Sequence, residues 1–308
     1  MTNLKKLGLT ALAGSLVATS AYAGSLDVTG SAKASYTSDG AAAANNPWSM
    51  SRGITFSGGG ELDNGMNVAV TMITDTASTT FSSSSLVLDM GDAGSLALVN
   101  GMSGGYGAGA YRDKMPTAGE EVWDDLDGEA NGHVAMDHAN TIAYGNSVSG
   151  VNFSVNYNKN TGGLGSDKSI AADFAPMDGM TLFAATADVS ASMTETDKHT
   201  TFGGTYTTMG ATIGMQLTSI DDATANSDSD RTHIAASFAV NENLSVSYGM
   251  STVEFESASL TDQEDSGFAA SYTMGSMSFG ASVNASDNVG GASGTDDTHK
   301  EMSVAFAF

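Results

Sequence analysis

The densest chemistry in the sequence is a run of carboxylates, Glu120, Glu121, Asp124, Asp125, Asp127 and Glu129, with Trp123 among them. Carboxylates at this density concentrate cations, and in a narrow, low-dielectric passage they favour cation entry over anion entry. Lying in open water, the same run is a solvated acidic surface. This chain has many such surfaces: 35 acidic residues face 11 basic ones, a net charge of −24 that leaves no expectation of a nucleic-acid partner. Charge alone does not separate the two readings. The connection that carries the run does.

Other groupings carry less. Asp221, Asp222, Asp228 and Asp230 fall in one polar connection and Asp296 and Asp297 in another. Such clusters bind Ca²⁺ through carboxylates and loop carbonyls or are simply hydrated, and Ca²⁺ at 221–230 is carried as an expectation. Asp124-Asp125-Leu126-Asp127-Gly128 resembles part of a calcium-binding loop, but the frame would place its first ligand at Trp123, so it fails. Gly105, Gly107 and Gly109 lack the Gly-Lys-Ser/Thr and the strand–helix context of a phosphate loop. The five histidines (His133, His138, His199, His233 and His299) show no His-x-x-x-His spacing, no Gly-x-Ser-x-Gly occurs, and cysteine is absent. No catalytic constellation assembles, and no enzyme is expected.

The elements that must position these residues read as strands. Met1 to Ala23 has the form of a secretory leader: Lys5 and Lys6, an apolar core from Leu7 to Thr19, and Ala21-Tyr22-Ala23 for cleavage. The mature chain is then 24–308, and nothing in it approaches the roughly 18 consecutive apolar residues of a spanning helix. Leu26, Val28, Gly30, Ala32, Ala34 and Tyr36 alternate with polar residues, and Val151, Phe153, Val155 and Tyr157 with Asn152, Ser154 and Asn156. That period of two is a strand with one apolar and one polar face. Seven short turns, such as Asp63-Asn64-Gly65 and Met209-Gly210, alternate with eight longer polar connections. The count predicts sixteen antiparallel strands, with turns at one end and loops at the other, as in a membrane-spanning β-barrel. The period is least clear at 168–174 and 181–187, where alanines blur it. The chain ends Met302-Ser303-Val304-Ala305-Phe306-Ala307-Phe308, an apolar strand that is safe only if it pairs with the first and closes the barrel.

In this frame the connection at about 101–138 is the third long loop, and it is too long for a simple hairpin. Folded inward, it would narrow the water-filled lumen of a sixteen-stranded barrel and set Glu120, Glu121, Asp124, Asp125 and Asp127 in the ion path. Opposing bases are then sought on the wall. Lys33 lies on the polar face of the first strand. Arg52 is the second candidate, although its parity matches Ile54 and Phe56 and leaves the outer rim open to it. Arg231 and His233 share the polar parity of their strand.

A cleavable leader, sixteen alternating strands, one long inserted loop and a terminal phenylalanine together resemble the Gram-negative general diffusion porins, most of all the alphaproteobacterial, Rhodobacter-type branch. The likeness covers the whole mature chain. It implies an outer-membrane homotrimer in contact with lipopolysaccharide, an inward-folded third loop, and passive diffusion of small hydrophilic solutes and cations. It also implies that Phe308, with Phe306, forms part of the signal read by the barrel-assembly machinery. One departure stands out: where many porins carry Pro-Glu-x-Gly-Gly at the loop tip, this chain has Pro116-Thr117-Ala118-Gly119-Glu120. The arginine cluster that many porins set opposite the loop is not found either. A substrate-selective channel and a structural or adhesion barrel are the alternatives. A Ca²⁺-dependent solenoid lacks its nonapeptide repeat.

Overall fold

A chain of alternating strands without long helices can satisfy its backbone N–H and C=O groups if each strand bonds to two neighbours and the last returns to the first. The computed structural model of this protein describes residues 26–39, 46–75, 81–101, 105–112, 114–128, 140–159, 165–192 and 194–308. The leader at 1–23 lies outside them, as do Glu129, His133 and His138. Among the described residues no helix is long and apolar enough to cross a membrane.

The strands are β1 (Leu26–Asp39), β2 (Trp48–Glu61), β3 (Asn67–Thr74), β4 (Ser83–Asp89), β5 (Ser95–Asn100), β6 (Thr141–Val148), β7 (Val151–Lys159) and β8 (Ser166–Met177). They continue as β9 (Met180–Ser190), β10 (Thr196–Thr208), β11 (Ala211–Asp221), β12 (Ser229–Ala239), β13 (Leu244–Phe255), β14 (Gln263–Met274), β15 (Met277–Asp287) and β16 (Asp297–Ala307). Each is antiparallel to its neighbours in sequence, and β1 pairs with β16, so the sixteen form one closed barrel. At the seam Ala32 faces Phe306 and Ala34 faces Val304, and Phe308 N–H donates to Gly30 O at 2.9 Å. The terminal strand is thus paired on both sides, as its sequence requires.

The turns form where the sequence supplies residues that tolerate positive φ. Ser149 and Gly150 (φ 53° and 82°) and Met209 and Gly210 (φ 49° and 81°) are both left-handed, the geometry of tight two-residue hairpins. The alanine-rich pair β8 and β9 holds regular register except for an irregularity between Phe174 and Met177.

Residues paired directly across antiparallel strands share a face, so the register sorts the wall in two. The row Ile213, Ala236, Tyr248, Phe268 and Val283 lies on the outer face, where its large members are exposed among many other apolar side chains. Such a continuous apolar belt suits a bilayer and not water. The next row, Gly214, Ala235, Gly249, Gly267, Asn284 and His299, lies on the opposite face. Buried residues collect on that face and are largely polar, among them Asn156, Ser169, Gln216, His233 and Asn284.

Candidate functional site

The described part of the long third connection, 105–112 and 114–128, makes its contacts with the polar face, strand after strand. Tyr106 Oη lies 3.0 Å from Ser95 Oγ on β5. Gly107 N–H donates to Ser154 Oγ on β7 at 2.8 Å, and Ala108 N–H donates to Ser169 Oγ on β8 at 2.9 Å. Gly107 has a φ of 64°, and a Cβ there would collide with Ser169 and Asn156, so the close approach requires glycine. The Tyr111 ring stacks on Phe183 of β9 at 5.4 Å, and its hydroxyl donates to Asp173 of β8. Burial, and then the Asp173 carboxylate, push the Tyr111 hydroxyl above its usual pKa. Gln216 Nε2 on β11 donates to Tyr111 O at 2.9 Å.

The segment then crosses the small-residue row. A Cβ at Gly214 would lie 2.7 Å from Pro116 Cδ, one at Gly249 3.2 Å from Val122 Cγ1, and one at Gly267 3.0 Å from Val122 Cγ2. Met115, Val122, Trp123 and Ala235 form one buried cluster, and the Trp123 ring, 1% exposed, lies 4.4 Å from the His233 ring. Ala118 N–H donates to Ser247 Oγ at 2.9 Å, and Asn284 Nδ2 donates to Glu121 O and Asp124 O at 3.1 and 3.2 Å. Gln263 Nε2 donates to Gly128 O at 3.0 Å, and Asp127 N–H to Asp297 Oδ2 at 2.8 Å. From β5 to β16 the partners all come from the face opposite the apolar belt.

The acidic run is not uniform. Glu120 receives Lys33 Nζ on one oxygen at 3.0 Å and Ser282 Oγ on the other at 2.9 Å, and Lys33 also contacts Glu301 of β16. Burial by itself would raise the Glu120 carboxyl; the Lys33 hydrogen bond and charge, with Ser282, overcome it and hold the group below the ordinary carboxylate range. Asp124 Oδ2 accepts Glu121 N–H at 3.1 Å and so closes a turn, with both residues half-buried. Asp125 and Asp127 are exposed, and Asp125 Oδ2 stands 3.7 Å from His299 Nε2.

Lys33 therefore meets the acidic segment. Arg52, the other base assigned to the wall, does not. It pairs across with Ala32 on the outer face, and it lines a shallow outer recess of about 560 Å³ with Met50, Ile54 and Phe308. Its parity with Ile54 decides its place. Arg231 and His233 lie on the polar face of β12. The four aspartates proposed for Ca²⁺ do not assemble: Asp228 Oδ1 accepts Asp222 N–H and Asp222 Oδ1 accepts Thr224 N–H, so both carboxylates cap loop backbone. Asp221 and Asp230 are turned to the outer face of their strands by register with Lys198 and Ser219.

Sequence reasoning missed the bases within the connection itself. Arg112 and Lys114 line a polar recess of about 700 Å³ with Tyr111, Asp173, Thr181 and Phe183. Lys114 Nζ lies 5.3 Å from the centre of the Tyr111 ring. The signal is in the sequence, two bases a few residues before the acids, whereas strand parity points to opposing charge on the wall alone.

No protein-family model and no curated protein matches this sequence. Solved structures do. A multiply substituted form of the Rh. blastica porin is 15% identical, with 92% of this chain and 100% of that one covered, at a TM-score of 0.65. The anion-selective porin from Comamonas acidovorans is 13% identical, with the same coverage, at a TM-score of 0.70. These likenesses establish the sixteen-stranded barrel fold.

Proposed function

We propose that this chain is an outer-membrane porin of a Gram-negative bacterium, a passive channel for small hydrophilic solutes and ions that prefers cations. The observation that carries the reading is the course of 105–112 and 114–128 along the polar face, from Tyr106 against Ser95 of β5 to Glu120 against Lys33 of β1. A segment bound to that face narrows the water-filled interior of a sixteen-stranded barrel. Its acids then border the passage: Asp125 and Asp127 exposed, Glu120 and Asp124 engaged. Arg112 and Lys114 border it farther back along the segment, so the two signs of charge are separated along the constriction.

The fold does not set the sign of selectivity, since one structural neighbour is anion-selective by its name. The chain's own charge argues for cations. The rest of the reading follows the resemblance: a leader at 1–23, the alphaproteobacterial branch, a homotrimer, lipopolysaccharide around the apolar belt, and assembly through Phe306 and Phe308. The test is single-channel conductance and reversal potential of the purified protein in a planar bilayer under a KCl gradient. Stable steps with K⁺ favoured over Cl⁻ are expected. Charge reversal of Glu120, Glu121, Asp124 and Asp125 together should move the reversal potential toward the Cl⁻ value. An unmoved potential would remove these acids from the ion path, and a folded barrel without conductance would favour an adhesion role.

A further inference from the structure

The acidic segment meets β16 at a group of side chains that ion selectivity does not require. Asp297, His299 and Glu301 alternate along β16 and so share its polar face. Each meets the segment or its tether: Asp297 accepts Asp127 N–H, His299 stands beside Asp125, and Glu301 shares Lys33 with Glu120. One donor atom from each of Asp125, His299 and Glu301 lies within 4.8 Å of the others. His299 and Glu301 are buried, at 5% and 7% exposure, while Asp125 is open to solvent on the far side. Two ligands are thus fixed on a strand, and the third sits on a connection that can close over an ion.

We propose that Asp125, His299 and Glu301 bind a divalent transition-metal ion of the zinc or nickel class, which ties the acidic segment to the barrel wall. One imidazole nitrogen with two carboxylates suits these ions, whereas Ca²⁺ and Mg²⁺ prefer oxygen ligands in larger number. Bonds of about 2.0–2.2 Å require the donors to draw together from their present spacing, and Asp125, exposed and at a left-handed backbone position with φ 60°, is the one free to move. Lys33 competes with the ion for Glu301, so the metal is exchangeable and not a permanent part of the fold. The effect on current rests on the lumenal reading above: an added dication beside Asp125 repels K⁺ and lowers its conductance. The binding itself rests on the side-chain group alone.

The experiment uses untagged, refolded protein in detergent, titrated calorimetrically with ZnCl₂ and with CaCl₂, and followed also by the emission of Trp123, two residues from Asp125. One zinc per chain is expected, with Ca²⁺ unable to compete at equal concentration. His299→Gln and Asp125→Asn should each weaken zinc binding about tenfold or more. Asparagine tolerates the left-handed conformation at 125, so the second variant tests the site even where the first fails to fold. Lys33→Met should tighten binding, an effect that general damage to the barrel would not produce. No zinc uptake, uptake unchanged in both weakening variants, or equal competition by Ca²⁺ would each overturn the site. A conducting channel that binds no zinc overturns the site and leaves the porin reading standing. Zinc bound without any fall in K⁺ current supports the site and counts against the lumenal placement of the segment.

Discussion

Glu120 is the residue on which the acidic segment turns, because it is both a charge and a tether. Its carboxylate joins β1 through Lys33 and β15 through Ser282, two strands separated by β16. Since its pKa in the folded protein is depressed, the stabilisation from this contact is complete above the ordinary value of 4.5 and is lost only as pH falls through the lowered one. Wild-type protein should therefore keep its open-channel current steady as the pH is lowered to about 4.5, with looser, noisier current below that. In Glu120→Gln the noisier current should already be present at neutral pH, and the proposed K⁺ over Cl⁻ preference should fall by a factor of about 2–5, the order for removing one unit charge that attracts K⁺ and repels Cl⁻ across water. Bilayer recordings across pH decide it. A variant as quiet as wild type at pH 7 would show that the backbone contacts hold the segment without the carboxylate. The charged residues were legible in the sequence one by one. What was not legible is that Lys33 serves Glu120 and Glu301 at once, a pairing of residues 87 and 268 positions apart that only the barrel's closure brings about.

At the scale of elements, the polar face of the wall and the segment that crosses it are fitted to each other by absence of side chains. Gly214, Ala235, Gly249 and Gly267 fall on four consecutive strands and, through register, in one row. Met115, Pro116 and Val122 lie against that row. Glycine costs strand stability, so its repetition on one face calls for a close approach by other chain, which the segment supplies. Gly214→Ala should push Pro116 off the wall, since the added carbon would stand 2.7 Å from a ring that cannot swing aside. Overpacking of this kind costs about 1–3 kcal/mol, enough to displace a connection but not to open a barrel. The expected outcome is an altered, more variable single-channel conductance with unchanged heat-modifiable mobility on a gel. Unaltered conductance would mean that the segment gives way locally without moving. Alternation and turn residues made the strands and hairpins readable, and even the alanine-blurred β8 and β9 formed where the count required them. The row could not be read, because it depends on how far each strand is offset from the next. Arg52 shows the converse: its parity with Ile54 was in the sequence, and parity alone places it outside.

For the whole molecule the decisive event is closure, because until β1 meets β16 both strands are open edges carrying unpaired backbone groups. The seam runs from Ser31 against Ala307 to Asp39 against His299, and the chain's last residue extends it: Phe308 N–H donates to Gly30 O and Phe308 O accepts Gly30 N–H at 2.7 Å. The ring of Phe308 occupies the place a side chain at residue 30 would take, since a Cβ on Gly30 would lie 2.5 Å from it. Strand end and glycine gap are thus complementary, and the terminal phenylalanine has a structural seat on the outer face near Ala32 and Met50 as well as the assembly role proposed for it. The two roles predict different things. Loss of the seat costs the seam two backbone hydrogen bonds and one ring contact, which lowers the stability of a barrel that still forms. Loss of an assembly signal lowers the amount of barrel in the outer membrane of cells, while refolding from urea into detergent proceeds as before. Deleting Phe308 should do both, whereas Gly30→Val, which blocks the seat but leaves the terminal residues intact, should lower thermal stability without a matching fall in membrane yield. Comparing yield in cells with refolding and melting in detergent for the two variants separates them. Equal yields for the deletion and the wild type would confine Phe308 to the seam.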